Sequence, residues 1–250
     1  MNPVNILIMG NNRLASSLSE CWQLNNYHVV HHLENMEKVN FVIETENLDK
    51  ETKQMQLGDI EKSISKDTPI LTTTLGWSAT EVASWLMYPE RVIGFAAFDN
   101  VKDAPGIEAV LPLQGKESYL LYVTEQFKQI GKEVIEVDED EPGLVYPRIL
   151  SMIVNEAAYA LMEQTASARD IDRAMKLGTN YPAGPLEWAA EIGIDNVYAV
   201  LQGLYQHLGE ERYRPASLIK KLVYANWIGH ATKKDFYYFE KRKNKEFTKI

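Results

Sequence analysis

Two hydrophobic periodicities alternate along the first half of the chain, and this alternation restricts the fold more than any other feature of the sequence. Residues 5–9 form a short apolar run that is typical of a buried strand. Leu14, Leu18 and Trp22 follow at four-residue steps, which places them on one face of a helix. Further patterns predict strands at residues 29–30, 41–43, 69–73, 92–95, 109–111 and 133–137 and a helix at residues 48–65. Strands that alternate with helices predict a largely parallel sheet and therefore an α/β fold.

The second half of the chain has helical periodicity and no strand signal. Apolar residues from Leu150 to Leu161 recur at helical spacing, and Gly178 stands where a C-terminal helix cap is expected. Pro185 can open a helix, because the N–H group that proline lacks has no partner at that position. The acidic stretch at residues 137–143 is the natural boundary. The sequence therefore predicts an α/β domain at residues 1–142 and an all-α domain at residues 143–250.

Composition and charge exclude several classes of function. The formal net charge of −9 disfavours nucleic acid and anionic membranes as general partners. We find neither a signal peptide nor an apolar stretch of the roughly 20 residues that a membrane span needs. Cys21 is the single cysteine, which fits a reducing cytosol. The adjacent His31 and His32 point to opposite faces of a strand, so we expect no metal site there. These features are typical of a cytoplasmic protein, and they leave room for one anionic small-molecule ligand in a local positive pocket.

Several motifs in the second half occur in a characteristic order. They lie at residues 155–157 (Asn-Glu-Ala), 170–178 (Asp-Ile-Asp-Arg-Ala-Met-Lys-Leu-Gly), 182–187 (Pro-Ala-Gly-Pro-Leu-Glu), 192–195 and 229–237. In this order they resemble the helical half of the 3-hydroxyacyl-CoA dehydrogenase family. The resemblance implies a Rossmann-type dinucleotide-binding domain followed by an all-α helical dimerisation domain. It also implies an NAD-dependent oxidoreductase that forms a homodimer through its helical half.

The first half resembles the same family more loosely. Residues 91–94 are similar to the strand that leads to the family's catalytic histidine, and the segment from Glu46 to Leu48 is similar to its cofactor-side loop. Only Leu33 to Asn40 separates the second strand from the third, so the helical hairpin that the family usually has there is absent or vestigial. That shortening argues against the family's usual mode of acyl-CoA recognition.

The turn after the first strand is the candidate nucleotide loop. Dinucleotide-binding proteins have a Gly-x-Gly-x-x-Gly turn there, and residues 10–15 of this chain read Gly-Asn-Asn-Arg-Leu-Ala. Gly10 keeps the tight turn, and Ala15 is small enough for close packing of the helix on the sheet. Asn12 tolerates positive φ, so the turn can persist, but its side chain is expected to crowd the pyrophosphate. Arg13 either contacts a phosphate or is exposed.

The remaining cofactor contacts are less complete. The family's acid for the ribose hydroxyls aligns with Leu33, and Glu34 either takes that role with a small shift or is a solvated surface residue. Glu46, in the segment that resembles the family's cofactor-side loop, and Thr74 are further candidates for cofactor binding. NAD is the implied cofactor, and we expect it to bind weakly if it binds at all.

The catalytic positions that the resemblance implies are mostly lost. In the family, a histidine takes the hydroxyl proton while a hydride moves between NAD and C3 of the acyl-CoA, and a glutamate orients the histidine. The histidine position is Ala96 here, and the glutamate position is Glu108. The serine and asparagine positions of the site are Leu75 and Pro147. Glu108 is therefore the one catalytic candidate.

Several alternatives remain open from the sequence alone. Glu108 is either a lone base, if it is buried, or a surface residue or ion-pair partner at a strand end. The standard reaction is expected to be weak or absent. The chain is then a non-catalytic protein that binds a nucleotide or CoA-like ligand, a structural partner that dimerises through its helical half with an active relative, or an enzyme with altered chemistry.

Overall fold

The computed structural model describes residues 4–32 and 39–247, without the side chains of residues 244–247. The chain forms two compact units, Met1–Tyr146 and Pro147–Ile250. The strands are β1 Asn5–Met9, β2 His28–Val30, β3 Phe41–Glu44, β4 Ile70–Thr73, β5 Val92–Ala96, β6 Gly106–Val110 and β7 Glu133–Glu136. The helices of the first unit are α1 Arg13–Gln23, α2 Lys50–Ser63, α3 Ala79–Ala83 and α4 Glu117–Gln129. Those that follow are α5 Tyr146–Met162, α6 Ala168–Thr179, α7 Pro185–Ile192, α8 Ile194–Leu208, α9 Ser217–Tyr224 and α10 Phe236–Phe247.

The first unit is built on one seven-stranded sheet with the order β2-β1-β3-β4-β5-β6-β7. The pairing is parallel except between β5 and β6, which are antiparallel. The predicted α/β fold with a largely parallel, Rossmann-like sheet is confirmed. The strand order reverses between β1 and β3, so the loops that follow these two strands diverge to either side of a crevice.

Alternation along β1 builds a hydrophobic core on each face of this sheet. Ile6 and Ile8 contribute to a core that includes the α1 stripe of Leu14, Leu18 and Trp22. Leu7 belongs to the opposite core, which also contains buried residues of α2 and α3. Because both faces of the central strands are covered, these strands are largely buried and mostly apolar, and β3 and β4 have polar residues at their carboxyl ends.

The second unit consists of helices, as predicted. In the part that the structure describes, its single β feature is an isolated bridge between Gly229 and Lys234. Pro185 is the first residue of α7, as its missing N–H group predicts. The expected cap at Gly178 is wrong: α6 continues to Thr179, and Asn180 adopts the left-handed conformation with φ 58°. Asparagine tolerates this conformation, so the helix ends two residues later than the glycine suggests.

Three of the sequence motifs of the second unit meet at Asp172. Its buried carboxylate accepts hydrogen bonds from Leu186 N (2.8 Å), Glu187 N (3.0 Å) and the Tyr237 hydroxyl (2.5 Å). Gly184 lies so close that a Cβ atom there would be 2.2 Å from the Asp172 Cβ. Burial raises the pKa of Asp172, against the effect of these hydrogen bonds, and burial together with Asp172 raises the pKa of Tyr237. The three motifs therefore supply residues that pack and form hydrogen bonds in one cluster around Asp172.

No helix within the described ranges is both long and apolar enough to cross a membrane.

Candidate functional site

The turn after β1 is tight because residue 10 is glycine. Gly10 has φ 140°, and a Cβ atom on it would lie 2.0 Å from the Thr45 hydroxyl oxygen. No other residue fits that position without moving the loop that follows β3. Gly10 therefore makes the turn that the motif predicts, and its role in cofactor binding stays a prediction.

Asn12 begins α1 as its N-terminal cap. Its φ is −119°, so the tolerance of asparagine for positive φ is not used. Its Oδ1 accepts a hydrogen bond from Ala15 N (2.9 Å), and its Nδ2 donates to Thr45 O (2.5 Å). The helix N-terminus offers its free N–H groups to a phosphate in dinucleotide-binding proteins. Here one of these groups, the Ala15 N–H, already donates a hydrogen bond to the Asn12 side chain.

Arg13 and Ala15 complete the nucleotide loop. Arg13 is 46% exposed and forms an ion pair with Asp99, with 3.7 Å between Nη1 and Oδ2. The guanidinium group of Arg13 is therefore paired with a carboxylate. The two predictions, a phosphate contact or an exposed residue, did not include this ion pair. Ala15 is buried, as its packing role requires. Leu33 and Glu34, the candidates for the ribose contact, lie outside the described residues.

The loop after β3 is anchored by an ion pair that is fully buried. Lys53 Nζ donates to Glu44 Oε2 (2.5 Å) and to the carbonyl oxygen of Glu46 (2.9 Å). Thr72 donates a further hydrogen bond to Glu44 Oε2 (2.7 Å). Burial raises the pKa of Glu44 and lowers that of Lys53, because their mutual attraction offsets only part of the lost hydration. The Glu46 carboxylate accepts hydrogen bonds from two backbone N–H groups of its own loop.

Thr74 follows β4 and is completely buried. Its hydroxyl and its backbone N–H both donate to Phe95 O, at 3.0 and 2.8 Å. These bonds join the end of β4 to β5, so the hydroxyl that we considered for a cofactor holds two strands together. Leu75, at the implied serine position, is also completely buried.

Ala96 and Glu108 face each other across β5 and β6. Strand register pairs Ala96 directly with Glu108, so the two positions that the resemblance assigns to the histidine and its partner are neighbours in space. An apolar cavity of about 370 Å³ lies beside them, lined also by Phe98 and Tyr146. The arrangement has the space for an imidazole and lacks the imidazole itself.

Glu108 is 8% exposed, and both carboxylate oxygens have partners. Oε2 accepts a hydrogen bond from Val145 N (3.0 Å), and Oε1 accepts one from Tyr146 N (2.8 Å). These N–H groups belong to the start of α5, so Glu108 caps that helix. The alternative of a surface residue is therefore wrong, and the partners that the structure gives this carboxylate are backbone N–H groups rather than a cation. Pro147 follows in the first turn of α5, where its missing N–H group costs nothing.

The loop between β5 and β6 is held in place by a buried lysine. Lys132 Nζ donates to the carbonyl oxygens of Val101 (2.7 Å) and Ala104 (2.5 Å). The Lys102 side chain pairs with Glu20 on α1. These contacts fix the loop that carries Asp99. Among the residues that the structure describes, no group of three or more His, Cys, Asp or Glu side chains could hold a metal ion.

Comparison with known proteins identifies both halves of the chain. Residues 13–141 match the NAD binding domain of 3-hydroxyacyl-CoA dehydrogenase, and residues 143–238 match its C-terminal domain. The chain belongs to the 3-hydroxyacyl-CoA dehydrogenase family. The match to the NAD binding domain begins after Gly10 and Asn12.

Relatives within the 3-hydroxyacyl-CoA dehydrogenase family cover most of the chain. A probable 3-hydroxybutyryl-CoA dehydrogenase of Bacillus subtilis is 33% identical over 88% of this chain and 76% of the relative. A 3-hydroxybutyryl-CoA dehydrogenase of Clostridioides difficile is 34% identical over 91% of this chain and 78% of the relative. The crystal structure of (S)-3-hydroxybutyryl-CoA dehydrogenase PaaH1 from Ralstonia eutropha superposes with a TM-score of 0.75 at 26% identity, over 94% of this chain and 99% of that one.

Sequence reasoning missed several residues that shape this member of the 3-hydroxyacyl-CoA dehydrogenase family. They are Glu44, Thr45, Lys53, Asp99 and Lys132. Lysine is rarely buried, so nothing in the pattern marks Lys53 or Lys132. The acidic residue that ends the apolar run of β3 was the one available signal, because a charge at the end of a buried strand needs a partner.

Proposed function

We propose that this chain is a 3-hydroxyacyl-CoA dehydrogenase-like protein in which the standard NAD-dependent reaction is weak or absent. One observation carries this proposal. Ala96 lies directly opposite Glu108 in the strand register, so the side chain that Glu108 would orient is a methyl group. This pairing agrees with the motif assignment, because it makes the implied histidine and glutamate positions neighbours in space.

The chemistry needs a group that exchanges a proton with the substrate oxygen. Reduction of a 3-ketoacyl-CoA moves a hydride from NADH to C3, and the oxygen at C3 takes up a proton. Alanine has no proton to give. Glu108 is the ionisable residue opposite Ala96 in the strand register, but both of its oxygens accept hydrogen bonds from the start of α5. Loss of a positioned acid or base costs about 10²–10⁴-fold in rate.

Two further substitutions weaken the site in the same direction. Leu75 and Pro147 stand where the resemblance implies a serine and an asparagine, and neither side chain can form the hydrogen bonds of those residues. Groups that act as one unit lose their effect together, so their costs do not add independently. Glu108 is then a structural residue in this chain.

Weak binding of NAD belongs to the same proposal. The Asn12 side chain accepts a hydrogen bond from the Ala15 N–H group, and Arg13 forms an ion pair with Asp99. Both features reduce the attraction of the helix N-terminus for a pyrophosphate. A remaining role for the protein is to bind a nucleotide or a CoA-like ligand without turnover, or to act as a structural partner of an active relative.

We also propose a cytoplasmic homodimer that forms through the second unit. The single cysteine favours a reducing compartment. The family implies dimerisation through the helical half, and exposed apolar side chains on that half, such as Ile149 and Leu177, support it.

A restoration series tests the loss of activity. We expect Ala96→His alone to raise turnover of acetoacetyl-CoA with NADH only slightly, although the adjacent cavity has room for the ring. The triple variant Ala96→His, Leu75→Ser, Pro147→Asn should exceed the native chain by at least about 10²-fold. Leu75→Ser alone serves as the control that adds a hydroxyl without a base. If the triple variant matches the native chain while it remains folded, these positions do not explain the activity.

A further inference from the structure

The crevice between β1 and β3 is the place where a sheet of this order receives its ligand. Ligands of open α/β sheets bind beyond the carboxyl ends of the strands, where the strand order reverses. In this chain the order reverses between β1 and β3. The two loops that border the crevice are residues 10–12, after β1, and residues 45–49, after β3.

Two side chains join these loops across the crevice. Asn12 Nδ2 donates to the carbonyl oxygen of Thr45 (2.5 Å). The Thr45 hydroxyl has two acceptors within reach of its single proton, Asn12 Oδ1 at 3.0 Å and Met9 O at 3.2 Å, and Asn12 Oδ1 is the nearer. The same Oδ1 accepts from Ala15 N (2.9 Å). The amide of Asn12, in the loop after β1, is thereby bonded to the loop after β3 and to the first turn of α1.

Thr45 is the rigid side of this contact. Its backbone N–H donates to Met9 O (3.0 Å), and its hydroxyl fits the space that the missing Cβ of Gly10 leaves. The next residue, Glu46, is bonded through its N–H to Glu44 (2.6 Å) and through its carbonyl to Lys53 (2.9 Å). Because the buried ion pair fixes the loop, the part that can yield to a ligand is the Asn12 side chain.

We propose that Thr45 and Asn12 form a latch that closes the crevice against a dinucleotide, which makes Thr45 a specificity-determining residue. The latch deepens the proposed weak binding of NAD and rests on that proposal. A pyrophosphate that approaches the N-terminus of α1 must displace the Asn12 amide and break its bonds to Thr45. Each such hydrogen bond weakens dinucleotide binding by about 2- to 12-fold.

A double-mutant cycle with NADH as the probe tests the latch. In the native background, Thr45→Ala should tighten NADH binding by about 2- to 12-fold, because it releases one bond of the latch. In the Asn12→Gly background the latch is already gone, so Thr45→Ala should change the affinity by less than about 2-fold. Thr45→Ser keeps the hydroxyl and is the matched control, with native affinity. Fluorescence titration to millimolar NADH gives all four corners of the cycle.

Two results of the cycle would overturn the latch. An equal gain from Thr45→Ala in both backgrounds means that Thr45 acts by bulk alone, without Asn12. No gain in the native background means that Thr45 does not restrain the crevice. If Thr45→Ala folds poorly, Thr45→Val keeps the branched shape without the hydroxyl and carries the same expectation.

Amide hydrogen exchange tests the latch without any nucleotide. The Ala15 N–H is protected by Asn12 Oδ1, which Thr45 holds in position. Thr45→Ala should therefore speed exchange at Ala15, and Thr45→Ser should leave it as in the native protein. Unchanged exchange in Thr45→Ala contradicts the latch. Tight NADH binding or turnover by the native chain would instead contradict the proposed function, and the exchange result is independent of that outcome.

Discussion

At the residue scale, the hydrogen-bond partners of Glu108 indicate a different role from the one that its motif implies. The motif marks it as the companion of a catalytic histidine, and the strand register keeps it beside that position, now Ala96. Its two carboxylate oxygens accept hydrogen bonds from the N–H groups of Val145 and Tyr146. A carboxylate at a helix N-terminus is stabilising through these bonds and through the helix dipole.

Removal of this cap should cost stability and little else. We expect Glu108→Ala to lower the free energy of unfolding by about 1–3 kcal/mol, because two buried N–H groups lose their acceptor. Glu108→Gln should cost less, since the amide oxygen still accepts one bond. Glu136→Ala, at an exposed position of β7, is the control and should stay within about 0.5 kcal/mol of the native chain. Urea denaturation measures all three, and native stability in Glu108→Ala would refute the capping role.

At the residue scale, the nucleotide loop shows which contacts the sequence alone does not predict. Two departures are visible from the sequence: Asn12 within the glycine motif, and Leu33 at the position of the ribose acid. The partner of Asn12 is Thr45, which is 33 residues away, and no periodicity links the two. Long-range pairs between side chains depend on tertiary structure, so the sequence suggested crowding by Asn12 and gave no hint of its hydrogen bonds.

The elements themselves were largely predictable, because hydrophobic period and capping chemistry act locally. β1 has the predicted bounds, and α7 begins at Pro185 as expected. The end of α6 was misplaced, since Gly178 and Asn180 can both adopt a terminal conformation and only packing decides between them. The motifs that join α6, α7 and α10 were recognised as a pattern, but their physical basis in Asp172 appears only in the structure.

The Asp172 cluster should hold these three helices together. Asp172→Ala removes the acceptor of two backbone N–H groups and one hydroxyl, so we expect a loss of at least about 1–3 kcal/mol in the free energy of unfolding. Tyr237→Phe removes one of these bonds and leaves the carboxylate with two partners, so about 0.5–1.5 kcal/mol is expected. Thermal or urea unfolding compares the two variants. Equal costs would mean that the backbone bonds of Asp172 contribute nothing.

At the scale of the whole molecule, the division into an α/β half and a helical half followed from the change of period. The proposed homodimer rests instead on the family resemblance and on exposed apolar side chains. The apolar stretches at residues 149–161 and 197–208 are the candidates for an interface between two copies of the chain. Much of that apolar surface belongs to the unit's own core, since Val197, Val200 and Leu201 are completely buried. Ile149 is 57% exposed and remains available for a partner. Burial inside one unit and burial between two copies produce the same sequence pattern.

We expect the full chain to sediment at twice its own mass at tens of micromolar. The residues from Glu139 to the C-terminus, made alone, should do the same if the helical half carries the interface. Ile149→Asp places a charge on the exposed apolar face of α5 and should weaken association if that face takes part. A clean monomer of the full chain at this concentration would remove the homodimer from the proposal.

Turnover of the native chain is the most direct test of the proposed loss of the proton-transfer group. The measurement is NADH absorbance during incubation of the purified native protein with acetoacetyl-CoA, at saturating concentrations of both. We expect a rate well below about 1 s⁻¹, the lower end of the usual enzyme range, because Ala96 offers no proton and Glu108 is committed to α5. A turnover of about 1–10³ s⁻¹ would contradict the account and make Glu108 or another group the base.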